Sequence, residues 1–508
     1  MSDLILAVDL GTNKCRAVAM DGAGQIHARA ESPNYPTHRP QDGWAEQDPQ
    51  DWWEAMCVCT NQVALQVATE RLIGVAICGH GPSHLLLDGD GNPLGKALTW
   101  QDTRAGLKAE WINRELSDDA RYKALGVHLP STANMGPSKL LWLRDNLPLL
   151  WERASAVVLP KDYLNLKLTG LVTSDRYSLK SLVNSHRLKV DRSYARHLGI
   201  DPCLVPKIFH PWQIVGETTR SQERQTHLPA GLPVTAGSID AFAGILGSGA
   251  AGVGEAFNIS GTTEIVGMFL AGPPPRLPGI LCYPLTHELS VAFAATANGG
   301  ASVDWFGRTV SGSDDLTRWY DQIGPLVDGW PRKPMSTTAV FLPYLGGERS
   351  PIWDSQARGV WFGLDANMDQ DTLLRSVLEG VSMSVRHNLD WIADRVGIRP
   401  KSIWVGGGGG RMAGWNRMRA DVTGVPLKVP NQMDASARGA VAMALVALGR
   451  QPDVLAAAST LVGEAQRIAP DSQAQEAYSK RFEIYKSLYP AIQEQFGKLA
   501  EIRESEVE

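Results

Sequence analysis

The feature that most narrows the possible folds is a pattern that occurs twice. Leu4-Ile5-Leu6-Ala7-Val8 reads as a strand, Asp9-Leu10-Gly11-Thr12-Asn13-Lys14 as a turn, and Cys15 to Met20 as a second strand. About 250 residues later the plan returns, with strands at Glu255 to Ser260 and Glu264 to Leu270 joined by the turn Gly261-Thr262-Thr263. Such a duplication predicts an α/β chain of two domains, and 508 residues are too many for one ordinary core. The boundary falls in the small-residue run Gly247-Ser248-Gly249-Ala250-Ala251-Gly252, which gives domains 1–250 and 251–508. A Gly-Thr turn between antiparallel strands can cradle phosphate, because N–H groups converge there and glycine allows close approach. Each turn alone reads equally as an ordinary hairpin. Two such turns facing each other would hold the β- and γ-phosphates of a nucleotide between two domains.

A third stretch carries a carboxylate. Leu232 to Ala236 reads as a strand and Ala241 to Leu246 as a helix, with Gly237-Ser238-Ile239-Asp240 as the tight turn that joins them. A helix start favours an anion, so Asp240 is expected to stay ionised near neutral pH and to accept a hydrogen bond from a bound hydroxyl. The alternative is that Asp240 only caps the helix. Elsewhere, residues 33–50 read as a surface loop and Asp51 to Ala68 as an amphipathic helix. Arg71 to Cys78 reads as a strand closed by the loop Gly79 to His84, where His80 and His84 are expected to be loop hydrogen-bonding residues. Residues 105–220 are expected to be mainly helical. Gly299 to Ser302 precede a helix, and their N–H groups are expected to add to a phosphate cradle. Asp371 to Val396 has the period of a long amphipathic helix. The run Gly406 to Gly410 lies between a strand and a helix, leaving backbone free to touch a flat ring or a phosphate. Its spacing fits neither the dinucleotide fingerprint nor the Gly-x4-Gly-Lys-Ser/Thr loop. Gly439 to Leu448 reads as a close-packing helix, about 471–500 as a final one, and the acidic end after Arg503 as a frayed tail.

Composition excludes several classes. A net charge of −5 with no long basic run argues against a nucleic-acid partner. No stretch approaches a membrane span, and Met1 to Val8 lacks the basic start of a signal peptide. Cys15, Cys57, Cys59, Cys78, Cys203 and Cys282 show no metal-ligand spacing, so reduced thiols in a cytoplasmic protein are expected.

Several motifs resemble those of the FGGY carbohydrate kinases, over about residues 4–450. Asp9 to Arg16 is similar to the family's first phosphate motif. Gly43-Trp44-Ala45-Glu46-Gln47-Asp48-Pro49 with Trp52-Trp53 is similar to the segment of its xylulokinase branch. Lys139-Leu140-Leu141-Trp142-Leu143-Arg144-Asp145-Asn146 fits the second half of one signature, with Asn134 and Gly136 as departures in the first half. Gly359 to Leu364 with Ser376 to Glu379 resembles the other, with Thr372 as a departure. Gly407 to Gly409, Trp415 and Ala420 to Pro426 resemble the adenine-side motif.

The resemblance implies a two-domain actin-like ATPase (ribonuclease H-like) fold with a nucleotide and sugar cleft between the domains. It also implies ATP and Mg²⁺ as cofactors, a small-molecule sugar as partner, and a homodimer as an option. Asp240 would be the catalytic base and would touch the sugar, and Asp9 would help hold magnesium through water. Thr12, Asn13 and Arg16 would meet the β- and γ-phosphates, faced by Gly261 and Thr262. Gly300 and Asp304 would lie beside the nucleotide, and Gly408 and Met412 would border the adenosine. His80, Gly81, Pro82, Trp100, Asp102 and Arg104 would line the sugar. The implied reaction is transfer of the γ-phosphate of ATP to D-xylulose, giving D-xylulose 5-phosphate, or else to another ketose or polyol such as ribulose, fuculose or erythritol. The loop after Gly79 matches neither the Gln-Met-His of xylulokinases nor the Arg-Glu pair of glycerol kinases, which disfavours glycerol. A non-kinase actin-like ATPase would need further domains, and only helices fit after residue 450. A sugar-binding protein without catalysis would have no use for an intact Asp240.

Overall fold

The computed structural model describes residues 2–286, 288–334 and 339–505. The chain divides into two compact units, 1–251 with 434–463, and 252–433 with 464–508.

The first unit is built on β1 (Leu4–Leu10), β2 (Cys15–Asp21), β3 (Ile26–Glu31), β4 (Leu72–Gly79), β5 (Ile214–Glu217), β6 (Pro233–Thr235) and β7 (Ser238–Ile239). Their order is β5-β6-β4-β1-β2-β3, with β7 also paired to β4. β1 is antiparallel to β2 and parallel to β4, and β6 and β7 are parallel to β4. Apolar residues run almost unbroken along β1 because both sheet faces are covered. The helix Pro49–Ala64 packs on β2 and β3, and the helix Ala435–Ala447 on β1 and β4. Asp48 starts the first of these helices by accepting from Gln50 N, with Pro49 at the first helical position.

The second unit repeats the plan with β8 (Ala256–Ser260), β9 (Glu264–Ala271), β10 (Leu281–Pro284), β11 (Leu289–Ala295), β12 (Ile403–Gly406), β13 (Leu427–Pro430) and β14 (Ala465–Ile468). Their order is β10-β11-β9-β8-β12-β13-β14. Reading outwards from β1 and β8, each strand of the first sheet except β7 has a counterpart of the same direction in the second, and β10 is an addition. The long helix Gln370–Val396 starts at Asp369, which accepts from Thr372 N and Thr372 Oγ1, and stops at Gly397 with φ +69°. Thr372, a departure from the family signature, thus serves the helix cap.

Three parts of the chain differ from expectation. Residues 105–220 are not only helical: Ala156–Val158, Thr173–Asp175 and Lys207–Phe209 are strands, the last two paired in parallel. The segment 434–463, expected with the second half, packs within the first unit. A Cβ on Gly439 would lie 1.9 Å from Ala243 O, and one on Gly247 would lie 1.9 Å from Ala435 O, so only glycine lets these two helices approach so closely. The helix Ser472–Ser505 runs into the expected tail, and 506–508 lie outside the described residues.

The Gly439 contact is backbone against backbone. Gly439→Ala should therefore lower the unfolding free energy by about 1–3 kcal/mol through overpacking, although alanine is the better helix former. Urea unfolding measures this, and a variant more stable than the native chain would contradict the close approach.

Candidate active site

Three neighbouring parallel strands of the first unit carry candidate catalytic side chains at or just beyond their carboxyl ends. Asp9 lies near the end of β1, His80 follows β4 and Asp240 follows β7. Registers pair Asp9 with Cys78 and Ser238 with Cys78, so the three strand ends lie side by side. Ligands of such sheets bind outside the carboxyl ends of strands.

The Gly11 to Lys14 turn closes through Gly11 N donating to Lys14 O at 3.0 Å. The segment 43–52 props it: Gln47 Nε2 donates to Thr12 O at 2.7 Å while Gln47 Oε1 accepts from Trp52 Nε1 at 3.0 Å. Tyr35 N donates to Asn13 O at 2.9 Å, and the Tyr35 hydroxyl donates to Gly11 O. Asn13 stays exposed, and Arg16 rests on Glu31 at 3.0 Å with half of its side chain in solvent. An exposed pair of this kind contributes little and can be exchanged for another anion.

Trp100 ties this turn to the loop after β4. Its Nε1 donates to Thr12 Oγ1 at 2.9 Å, and its backbone N donates to Ser83 Oγ at 3.0 Å. His80 is buried, with Nδ1 2.8 Å from Ser83 Oγ, and its Nε2 has no hydrogen-bond partner among the described residues. His84 does not hydrogen-bond within the loop through its ring as expected: neither ring nitrogen has a partner among the described residues. Loss of hydration, with the Lys139 charge second, pushes His80 down to about 3 and also lowers His84, so both imidazoles are neutral. A Cβ on Gly81 would lie 2.6 Å from Ile239 Cγ2, which accounts for glycine at the point where the loop crosses the Asp240 turn.

Asp102 and Arg104 are placed differently from expectation. Asp102 is fully buried, its oxygens taken by Ala45 N at 2.7 Å, by Arg104 N at 3.2 Å and by the Arg104 guanidinium at 2.7–3.0 Å. Arg104 also pairs with Glu46 at 2.8 Å and lies 3.5 Å over the Trp44 ring. Both side chains brace the wall formed by the 43–47 segment instead of presenting free groups to a sugar.

In the second unit, the Gly261 turn closes on Thr263 O at 3.0 Å, as its counterpart closes on Lys14. The expectation that the helix start at Gly299 to Ser302 adds N–H groups to a cradle is not met. Gly299 N and Ala301 N donate to Thr262 O, Gly300 N to Gly261 O and Ser302 N to Gly299 O. A Cβ on Gly300 would lie 2.6 Å from Gly261 O, so the glycine serves close approach. Asp304 accepts from the Tyr320 hydroxyl at 2.8 Å. In the glycine run, Gly408 is exposed with nothing near its Cβ position, while Met412 is buried in the core beside Trp415 and Met418.

The family models cover most of the chain. The N-terminal domain of the FGGY family of carbohydrate kinases matches residues 4–247, and the C-terminal domain matches residues 256–448. The chain belongs to the FGGY family of carbohydrate kinases. It is 27% identical to the xylulose kinase of Escherichia coli (strain K12) over 502 residues, 96% of this chain and 99% of that one. It is 26% identical to the gluconokinase of Bacillus subtilis (strain 168), over 99% and 98% of the two chains. Superposed on the ligand-bound xylulose kinase of Lactobacillus acidophilus it has a TM-score of 0.87 at 22% identity, covering 98% of this chain and 100% of that one. That likeness is one of fold, the two-domain actin-like ATPase fold.

In this FGGY kinase the charged groups hold positions that sequence reasoning did not assign. Asp240 starts the helix Asp240–Leu246, and its Oδ1 accepts from Ala241 N at 2.6 Å. The expectation that Asp240 stays ionised near neutral pH is met only in part. Asp240 is only part-buried by area, yet loss of hydration and then the Asp9 charge push it up to about 7 against opposing effects of Ala241 N and Lys180. Asp9 is raised as well, by burial, while Arg16 and Cys78 hold it down. Lys139, read only as part of a signature, is fully buried. Its ammonium donates to Pro82 O at 3.0 Å, Leu98 O at 3.1 Å and Thr99 O at 2.6 Å, which clamps the His80 loop to the strand leading to Trp100. Burial pushes Lys139 down to about 7. A lysine in an otherwise apolar stretch was the available signal.

Lys139→Met keeps the length of the side chain and strips three buried carbonyls of their donor. Stability should fall by about 2–4 kcal/mol, with amide exchange speeding up at 80–84 and 98–101. Urea unfolding and hydrogen-exchange mass spectrometry would show it; unchanged protection there would mean the loop has another anchor.

Proposed function

We propose that this FGGY kinase transfers the γ-phosphoryl group of ATP to a hydroxyl of a free sugar, with D-xylulose as the first candidate and D-xylulose 5-phosphate as product. The observation that carries the reading is Asp240: a carboxylate at a strand end, next to a second carboxylate and poised to titrate at about 7. A general base works best with its pKa near the operating pH. Xylulose is supported by the match along nearly the full length of the Escherichia coli xylulose kinase, and by Gln47 and Trp52 of the matching segment, which hold the Thr12 turn. A six-carbon sugar acid is the second reading. It is favoured by the match to a gluconokinase and by the cation of Lys180 near Asp240.

In this reading the acceptor hydroxyl donates to Asp240, which takes its proton as the oxygen attacks the γ-phosphorus in line. His80, Gly81, Pro82 and Trp100 line the acceptor, and Thr12, Asn13 and Arg16 meet the phosphates. In the second unit Gly261, Thr262, Gly300 and Asp304 serve the nucleotide, and Gly408 borders its adenosine, with Met412 packed in the core behind it. Magnesium fits this donor set. No cluster of three or more His, Cys, Asp or Glu forms a metal cage among the described residues, and Mg²⁺ commonly takes one or two carboxylates, waters and substrate phosphates. Asp9 would hold it through water, and the ion would supply neutralisation of phosphate charge.

An ADP-release screen against ketoses, aldoses, alditols and aldonates tests the acceptor, and activity on none of them would overturn the reading. Asp240→Asn should lower turnover by roughly 10²–10⁴-fold with little change in substrate binding; near-native turnover would reject the base. The native kcat/KM should rise with pH through about 7 as Asp240 ionises. The stability sign is opposite. Below about pH 4 the carboxyl is protonated in folded and unfolded chains alike, and between there and 7 the unfolded chain ionises first. Stability is therefore lost as pH rises through that window, and Asp240→Asn at pH 8 should melt no lower than the native protein.

A further inference from the structure

Beneath the Asp240 turn lies a set of buried charges that the reaction above does not use. Lys161, Asp162 and Asp175 are all fully buried. The Lys161 ammonium donates to Asp162 Oδ1, to Asp175 Oδ2 at 3.0 Å and to Ala236 O at 3.0 Å. Asp162 is held in turn by Leu159 N at 3.0 Å and Ser174 Oγ at 2.7 Å. Asn165 Nδ2 donates to Thr235 O and Ala236 O, the last residues before the turn.

Asp175 has the most connections. Its Oδ1 accepts from Ser238 Oγ at 3.0 Å, two residues before Asp240. The same oxygen accepts from Tyr177 N at 2.9 Å and Ser178 N at 3.2 Å, and Oδ2 accepts from Ser178 Oγ. Asp175 thus grips both the turn that carries Asp240 and the start of the 176–180 segment. That segment reaches back to the same helix: the Tyr177 ring stacks on Phe242 with centroids 3.6 Å apart. It also ends in Lys180, whose charge acts on Asp240. At Gly237 the backbone has φ +64°, and a Cβ would lie 1.9 Å from Ile77 O. The turn is therefore a tight structure pressed on β4 and pinned from one side by side-chain hydrogen bonds.

We propose that Asp175, acting through Ser238 and Tyr177, is a positioning residue for the phosphoryl transfer, setting where the Asp240 carboxylate stands relative to the acceptor hydroxyl. The proposal rests on the reading of Asp240 as the base. A general base must stand within about 3 Å of the proton it takes, and small misplacements cost large factors in rate. A buried charge cluster holds a rigid geometry only when its charged groups are satisfied, as Lys161, Asp162 and Asp175 are.

The test compares Ser238→Ala, Asp175→Asn and Asp240→Asn singly, and each of the first two combined with the third. Ser238→Ala removes one hydrogen bond and no charge, so it remains informative if Asp175→Asn fails to fold. The proposal expects kcat to fall about 10-fold in Ser238→Ala and about 10²-fold in Asp175→Asn, with the KM for ATP within about 3-fold of native. In the Asp240→Asn background neither change should cost turnover again, because residues acting through one group are non-additive. Native kcat in folded Ser238→Ala, or a full further loss on top of Asp240→Asn, would overturn the proposal. If Asp240→Asn itself turns over normally, the base assignment fails first and the positioning role fails with it. If Asp240→Asn is impaired and Ser238→Ala is not, only the positioning role fails.

Discussion

One lysine ammonium cut off from water sets the terms for the first unit. Lys161 is buried between Asp162 and Asp175 and also bonds Ala236 O. Burial alone would draw its proton off; the two carboxylates more than reverse that, so its pKa is raised. Breaking one partner of such a cluster leaves a naked charge in low dielectric, which costs several kcal/mol. The geometry around it is correspondingly unforgiving, and it fixes the end of β6, the start of β7 and the helix that follows. The second unit has its own version. Glu264 is buried and accepts from Asn258, Ser260 and Arg419, while Arg419 donates to Gly409 O. In both units a paired ion under the strand ends holds the backbone that a ligand would meet.

Much of the architecture was legible in the chain. The two strand–Gly-Thr–strand patterns are β1 to β2 and β8 to β9, with equivalent turn hydrogen bonds at Gly11 and Gly261. They are readable because strand alternation, glycine turns and their spacing are local properties. The long helix Gln370–Val396 was readable for the same reason. The strands Ala156–Val158, Thr173–Asp175 and Lys207–Phe209 were not, since three-residue strands depend on a partner distant in sequence.

The site was legible as residues and less so as roles. Asp9, Thr12, His80, Trp100 and Asp240 belong to stretches that the first sheet brings together at its strand ends. Asp102 and Arg104 were expected at the sugar only because the family resemblance placed the Trp100 to Arg104 stretch there. In the structure they satisfy each other, Ala45 N and Glu46. Lys139 and Lys161 sit in helices among apolar neighbours, where a sequence shows only that a charge is out of place. What each ammonium grips is decided by carbonyls 40 to 75 residues away. The ionisation of Asp240 was misjudged because a helix start is a local anion stabiliser, whereas burial and Asp9 are products of the tertiary fold.

The close crossing of Gly439 on Ala243 has a bearing on how the chain is made. The helix Ala435–Ala447 covers β1 and β4, yet residues 252–433 of the second unit are synthesised between Ala243 and Gly439. Until that helix emerges from the ribosome, the apolar back of the first sheet has no cover of its own. A domain-by-domain order of folding during synthesis is therefore closed to the first unit. It must wait, partly assembled and exposing sheet surface, for a stretch near the far end of its own message.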